Sequence, residues 1–230
     1  MSIVIVEVRP AEGGNDAKMF TQDLFQVFLK FCKRKKWKTE IVSMRHAPVG
    51  FYEIVFTVQG SGAYKRLLKE AGGHRVQRVP PTEKKGRRQT STVTVAVLRQ
   101  PVGITIKLRD KDLKIETMRS SGPGGQHANK SDSAVRITHI PTGIQAYAGT
   151  KSQVANKKRA LGVLKARIHD AQLSKSKKAH AKNRSKQVGS GMRGDKVRTI
   201  RYQDGRVSDH RSGKKVNLKI WLNGELDRLV

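Results

Sequence analysis

Apolar residues in this chain fall into two patterns of different period, and together they restrict it to a mixed fold. Ile3–Val8, Thr39–Ser43, Phe51–Val58 and Thr90–Leu98 are rich in β-branched and aromatic residues and read as strands. Phe20, Leu24, Phe28 and Phe31 recur at helical spacing, so Ala17 to about Lys35 reads as an amphipathic helix. The turn Glu12-Gly-Gly-Asn-Asp16 precedes it and offers Asn15 or Asp16 as a cap. Gly60-Ser-Gly62 breaks the third of these strands, and Ala63–Glu70 reads as a short helix. Strands and helices in this order predict an α+β fold built on an antiparallel sheet.

The pattern changes after Gln100-Pro-Val-Gly103. Lys114–Arg119, Ala134–His139 and Ile144–Ala148 read as strands, the last two joined by the turn Pro141-Thr-Gly143. A long helix from Ser152 to about Val188 follows, with one apolar seam at Leu161, Leu164 and Ile168 that fades after Leu173. Gly189-Ser-Gly191 ends it. Val216–Leu222 reads as a strand and Gly224–Val230 as a last helical turn. The expected organisation is a first domain over residues 1–107 and a ββ/βα domain over 108–188 ending in the long basic helix. A segment over 189–230 then packs back on the first domain and completes its sheet, so the middle domain is an insertion.

Charge narrows the class of partner. The sequence holds 48 Lys and Arg against 18 Asp and Glu, a formal net charge of +30. Such an excess calls for a polyanion, nucleic acid before an anionic membrane, with affinity that falls steeply as salt rises. From Lys151 to Val188 there are 12 cations and one acid, Asp170. Lys157, Lys158 and Arg159 are the best candidates there for RNA phosphate contact. Ser174–Lys186, rich in Lys, Ser and Ala, is the tract expected to order with RNA. The longest apolar run near the start, Ile3–Val6, is far too short to span a bilayer, and no secretory pattern precedes it. The single cysteine, Cys32, forms no internal disulfide and fits a reducing cytosol, so a cytoplasmic monomer is expected. No metal-ligand spacing and no phosphate-cradling Walker loop is present, so neither a metal nor another cofactor is expected.

Within Met118–Lys130 stand Gly124, Gly125 and Gln126. Paired glycines open backbone conformations closed to other residues and let main-chain N–H groups approach a substrate. A glutamine beside them both donates and accepts hydrogen bonds. With no nucleophile nearby, the combination predicts a loop that places water at a carbonyl and stabilises the oxyanion with an amide. The Gln126 N–H is the candidate donor.

Three blocks in order resemble the class I peptide-chain release factors of bacteria and organelles. The first is Gly73–Glu83 with Gly86-Arg87 and Thr90–Val97. The second is Arg119–Arg136 with His139–Gly143. The third runs from Gly189-Ser-Gly191 through Arg198-Thr199 to Gly205–Arg211. The resemblance implies that Gly124, Gly125 and Gln126 are the peptidyl-tRNA hydrolysis motif and that the first domain decodes. It implies that Pro80-Pro81-Thr82 matches the Pro-x-Thr tripeptide of factors reading UAA and UAG. The helix tip Gly14, Asn15 and Asp16 would meet the first codon base. Gln89 and Thr90 are further codon candidates, and Arg119 joins the RNA-binding set. His74, Arg75, Gln77 and Arg78 are assigned to bracing the loop, and Asp209 and His210 to structure.

The match has departures. The family's N-terminal helical domain is missing and its C-terminal helix is clipped, so a shortened form is expected. Gln89 stands where the family has a histidine, Asn15 where it has an acid, and Ala128 where it has a valine. The expected function is A-site binding, reading of UAA and UAG, and triggering of ester hydrolysis. The factor would not be a free-standing enzyme, because the ribosome supplies most of the catalytic setting. Expected partners are rRNA of both ribosomal subunits, P-site peptidyl-tRNA, the mRNA stop codon and a Gln methyltransferase. The alternative is a codon-independent rescue factor for stalled ribosomes.

Overall fold

A computed structural model describes residues 3–100, 108–119 and 132–229. The chain divides into two compact units, Met1–Gln100 with His180–Val230, and Pro101–Ala179. The mixed α+β class expected from the sequence is what is found.

The first unit is an eight-stranded sheet crossed by one long helix. Its strands are β1 (Ile3–Pro10), β2 (Lys38–His46), β3 (Phe51–Gln59), β4 (Gly72–Arg78), β5 (Gln89–Arg99), β9 (Arg198–Arg201), β10 (Arg206–Asp209) and β11 (Lys215–Asn217). They lie in the order β11-β10-β9-β4-β5-β1-β3-β2. Neighbours are antiparallel except β4 and β9, which pair in parallel from His74↔Arg198 to Gln77↔Arg201. That one parallel pair sits in a sheet that is otherwise antiparallel, as expected. It arises because the third segment of chain joins the sheet edge left open by β4.

Helix α1 (Gly14–Arg34) lies on this sheet. Phe20, Leu24, Phe28 and Phe31 are all buried, against Val4, Val6, Val8, Phe56 and Val93 among others. Each such side chain contributes roughly 1.5–3 kcal/mol by leaving water. A short helix, α2 (Ala63–Leu67), continues as a 3-10 turn (Leu68–Glu70) into β4.

The return segment is fastened by buried charge. Arg198 has no solvent exposure. Its Nε and Nη2 donate to the two carboxylate oxygens of Glu70, both at 2.7 Å. Its Nη1 lies 2.7 Å from Asp209 Oδ2. A cation balanced by two acids on two segments is the arrangement in which burial of charge is tolerated. His74 sits beside it with Nε2 2.9 Å from the Glu70 carbonyl oxygen.

The end of the chain differs from the sequence expectation. β11 stops at Asn217, and Leu218–Leu222 is helix α4 rather than strand. Asn217 is the reason: its side chain accepts a hydrogen bond from the Lys219 N–H at 2.8 Å and caps a new helix. The turn brings Trp221, fully buried, to stack near Phe20 with ring centroids 6.5 Å apart.

The second unit holds β6 (Leu113–Met118), β7 (Ala134–His139) and β8 (Gln145–Ala148) as an antiparallel sheet. Helix α3 (Gln153–Val188) packs Ala160, Leu164 and Ile168 on Val135, Ile137, Ala146 and Ala148. The helix continues unbroken through Ser174–Lys186. The boundary between units falls within α3 rather than at its end. Its last two turns belong with the first unit, where Arg184 Nε donates to Glu7 at 2.6 Å and Gln187 bonds both the N–H and the carbonyl of Val97. No helix among the described residues is long and apolar enough to cross a membrane.

The buried imidazole gives the fold a pH signature. Burial first, and the Arg198 charge second, push His74 down to about 3. In the unfolded chain an imidazole titrates near about 6.5. Between those values the unfolded chain carries a proton that the folded chain lacks, so stability falls as pH is lowered across that window. The slope contributed is up to about 1.4 kcal/mol per pH unit. Urea unfolding of the wild type and His74→Gln between these pH values should show the wild type losing stability more steeply; parallel curves would contradict it.

Candidate codon-reading edge

Three stretches of chain far apart in sequence converge at one end of the first unit. The first is the start of α1. Its N-cap is Gly13, with φ at 122°, and no side chain caps the helix. Neither Asn15 nor Asp16 takes the capping role expected of it. Asn15 is exposed and its Oδ1 accepts from Lys18 Nζ at 3.2 Å. Gly14 is exposed as well. The first-turn N–H groups therefore have no side-chain acceptor, and the helix dipole adds positive potential there.

Asp16 is different from its neighbours. Only 2% of it is exposed, and its carboxylate accepts from Arg78 Nε at 2.7 Å. Its side chain fixes the tip from within, held by Arg78.

The second stretch is the loop from β4 to β5. Arg78 ends β4 opposite Gln89 at the start of β5, so residues 79–88 form the connection. Pro80 is buried, while Pro81 and Thr82 are exposed. The Glu83 N–H donates to the Pro80 carbonyl at 3.0 Å. That bond closes a four-residue turn with Pro81 at its second position, where the fixed φ of proline is favoured, and Thr82 at its third. The Glu83 carboxylate holds the loop from inside. It accepts from the Lys85 N–H at 2.9 Å, Arg87 Nε at 3.3 Å and Gln89 Nε2 at 3.4 Å. These bonds, the Lys85 N–H first among them, hold its carboxyl below the usual glutamate range.

The third stretch opens β5. Gln89 and Thr90 are half-buried, and Thr90 stands opposite Gln77. β5 also anchors the helix tip, because the Thr92 N–H donates to the Glu12 carbonyl at 2.6 Å and the Ala11 N–H to the Thr92 carbonyl at 2.9 Å. Gly13 passes so close to Ser91 that an added Cβ would lie 2.3 Å from its Oγ. The surface between these stretches is cationic. Gly13, Arg87, Arg88, Gln89, Thr90 and Arg193 line one shallow pocket. Arg193 is tied back to Glu12, which accepts its N–H at 3.0 Å.

The structure thus sets the start of α1 beside Gln89 and Thr90 at one edge, with exposed Pro81 and Thr82 on the connection that leads into Gln89. It places Pro80 and Asp16 beneath that edge as supports. Sequence reading gave Glu83 and Arg193 no role. A glycine with positive φ ahead of a helix was legible in the Gly13-Gly14 pair, whereas the Glu83 and Arg193 bonds span segments whose proximity no local pattern announces.

In the second unit, β6 and β7 pair from Leu113↔His139 to Met118↔Ala134. The connection between them carries Gly124, Gly125 and Gln126, which lie outside the described residues. Arg119 and Asp132 stand at its two ends, Nε to Oδ1 at 3.9 Å, both largely exposed. At the start of α3, Asn156 is fully buried and saturated. It donates to the Ser133 carbonyl at 2.7 Å and the Thr150 carbonyl at 2.8 Å, and it accepts from the Thr150 N–H and hydroxyl. Locking Asn156 inward sets the next three positions, Lys157, Lys158 and Arg159, to face solvent. Among the described residues no group of His, Cys, Asp and Glu is placed to hold a metal ion.

The two glycines at the tip differ in a way that can be measured. Gly13→Ala should cost about 1–3 kcal/mol, since both its φ and the Ser91 contact oppose a side chain. Gly14→Ala, with φ at 58° and open space around it, should cost about 1 kcal/mol or less. Urea denaturation of the two variants orders them; equal losses would contradict the close approach.

Comparison with known proteins identifies the family. A PCRF domain matches residues 1–95 and an RF-1 domain matches residues 102–211. Peptide chain release factor 1 of Staphylococcus haemolyticus is 49% identical over 229 residues, 99% of this chain and 64% of that protein. The same-named factor of Bartonella bacilliformis is 45% identical over 232 residues, covering 98% and 64%. Among solved structures, RF2 of Thermus thermophilus aligns with a TM-score of 0.59 at 34% identity, covering 100% of this chain and 66% of that one. The chain therefore spans about two thirds of the length of these relatives. With both domain matches in order along it and nearly half its residues shared with such relatives from end to end, the chain belongs to the peptide chain release factor family.

Proposed function

We propose that this chain is a translation termination factor that binds the ribosomal A site, reads UAA and UAG, and triggers hydrolysis of the peptidyl-tRNA ester. The observation that carries this reading is the convergence of Gly14-Asn15, Pro81-Thr82 and Gln89-Thr90 on one edge, each held from behind by buried or ion-paired residues. Base recognition needs donors and acceptors fixed in place, and these groups supply both. Backbone amides at the helix tip suit the carbonyl oxygens of a first-position uracil. The Thr82 hydroxyl donates or accepts, so it serves a purine amino group or a purine carbonyl. Thr90, on the rigid start of β5, is placed for the third base, and Gln89 hydrogen-bonds a base where an imidazole would stack.

The decoding role falls to the first unit and the hydrolytic role to the second, whose β6–β7 connection carries Gly124-Gly125-Gln126. Water attack on the ester creates an oxyanion and frees a ribose hydroxyl. The Gln126 N–H stabilises the oxyanion, a contribution of about 3 kcal/mol for one well-aimed donor. Its side-chain amide orients the water. Exposed Lys157, Lys158 and Arg159, with Arg119 at the base of the loop, bind rRNA or tRNA phosphates, which makes binding steeply salt-dependent.

Peptide release from ribosomes loaded with peptidyl-tRNA tests this directly, with UAA, UAG, UGA, a sense codon or no codon in the A site. Release confined to UAA and UAG is expected. Release on every codon overturns stop-codon reading in favour of ribosome rescue, and release on none leaves an RNA binder. Gln126→Pro removes the N–H and should lower the release rate by about 100- to 1,000-fold. Gln126→Ala keeps that donor and should lose less, with ribosome binding near normal for both. Equal losses would discard the amide's role.

A further inference from the structure

Behind the candidate edge lies one residue whose side chain grips one of its three parts and whose backbone leads into another. Arg78 ends β4, two residues before Pro80. It is 6% exposed. Its Nε donates to Asp16 Oδ1 at 2.7 Å and its Nη1 to Asp23 Oδ2 at 2.6 Å. Its guanidinium carbon lies 5.7 Å from the ring centroid of Phe20 and 5.5 Å from that of Tyr202. Asp16, Phe20 and Asp23 follow one another at helical spacing, so a single guanidinium grips two turns of one face of α1. Tyr202 is itself fixed to β4, its N–H donating to the Gln77 carbonyl at 3.0 Å.

The first turn of α1 lacks a side-chain cap. Asp16, in that turn, is held by Arg78 instead. On the other side, Arg78 leads directly into the turn that presents Thr82, and the prolines at 80 and 81 leave little slack between them. We propose that Arg78 is a positioning residue that couples the tip of α1 to the Pro80–Thr82 turn and thereby sets how sharply stop codons are discriminated. This rests on the stop-codon reading above.

The physical argument is that discrimination is a difference between two binding free energies. Donors held at one spacing reject a base whose groups are displaced. Donors free to shift relative to one another accept more bases, each less well. A lysine keeps the charge but cannot bond two carboxylates in the fixed fork of a guanidinium. Arg78→Lys should therefore preserve the fold better than it preserves the spacing.

Two measurements on the full chain test this. The first is kcat/KM for release on UAA against CAA and UGA, which differ at the first and second base. Arg78→Lys should lower the UAA-to-CAA and UAA-to-UGA ratios by about tenfold, mainly through KM on UAA. A purely structural defect would lower the active fraction and leave the ratios unchanged. The second needs no ribosome: spin labels at Asn15→Cys and Thr82→Cys, in a Cys32→Ala background, report the distance between tip and loop. Arg78→Lys should broaden that distribution. Should Arg78→Lys fail to fold, Asp23→Ala and Tyr202→Leu each remove one contact and should move both readouts in the same direction, by less. An unchanged distance distribution in a folded variant overturns the coupling. A broadened distribution with unchanged ratios overturns its role in discrimination. A wild type that releases equally on UAA and CAA instead overturns stop-codon reading itself, which the wild-type ratio reveals before any variant is compared.

Discussion

The lateral order of the sheet depends on a cation that never meets solvent. Arg198, on β9, is divided between Glu70 and Asp209, and that bond network sets the parallel register of β9 on β4. β4 in turn is the strand that delivers the Pro80–Thr82 turn. Removing Arg198 would take from Glu70 and Asp209 the buried cation they share, a loss of a few kcal/mol in comparable cases. The network thus connects the last segment of the chain to the placement of a loop more than 100 residues earlier.

From β4 outward the reading edge follows by short steps. Arg78 holds Asp16 and with it the start of α1. Ser91 and Thr92 hold Gly13 and Glu12. Glu83 ties the Lys85 N–H, Arg87 and Gln89 to the loop. Exposed and supporting residues alternate through this region, so neighbours in sequence have opposite roles. Asn15 faces out and Asp16 in; Pro80 is buried and Pro81 exposed. Such alternation lets a basic protein offer hydrogen-bonding groups in fixed positions while its charge supplies affinity without sequence preference.

How much of this was legible before the fold follows from the range of each interaction. The stripe of Phe20, Leu24, Phe28 and Phe31 and the β-branched runs are local, and they gave α1, β1, β3 and β5 to within three residues at each end. β4 was not recognised as a strand, because Gly72-Gly-His-Arg-Val-Gln-Arg78 has little strand propensity. It is a strand because β5 and β9 pair with it, and Gly73 is needed since an added Cβ would meet the Asp195 carbonyl at 2.3 Å. The helix after Asn217 was read as strand because Val216, Leu218, Ile220 and Leu222 recur at every second position, and the capping role of one asparagine outweighed that pattern. The codon candidates were found through resemblance. The division of labour between Asn15 and Asp16 is invisible without knowing that Arg78 lies beneath.

The central claim is that this edge meets a stop codon while the Gly124-Gly125-Gln126 loop meets the peptidyl-tRNA ester. A structure of the chain bound to a ribosome carrying peptidyl-tRNA and UAA in the A site tests it most directly. The account predicts Thr82 Oγ1 and the first amides of α1 within hydrogen-bonding distance of codon bases, and Gln126 beside the ester bond in the same particle. A bound state in which another face of the first unit covers the codon, or in which Gln126 lies far from the tRNA acceptor end, would contradict it.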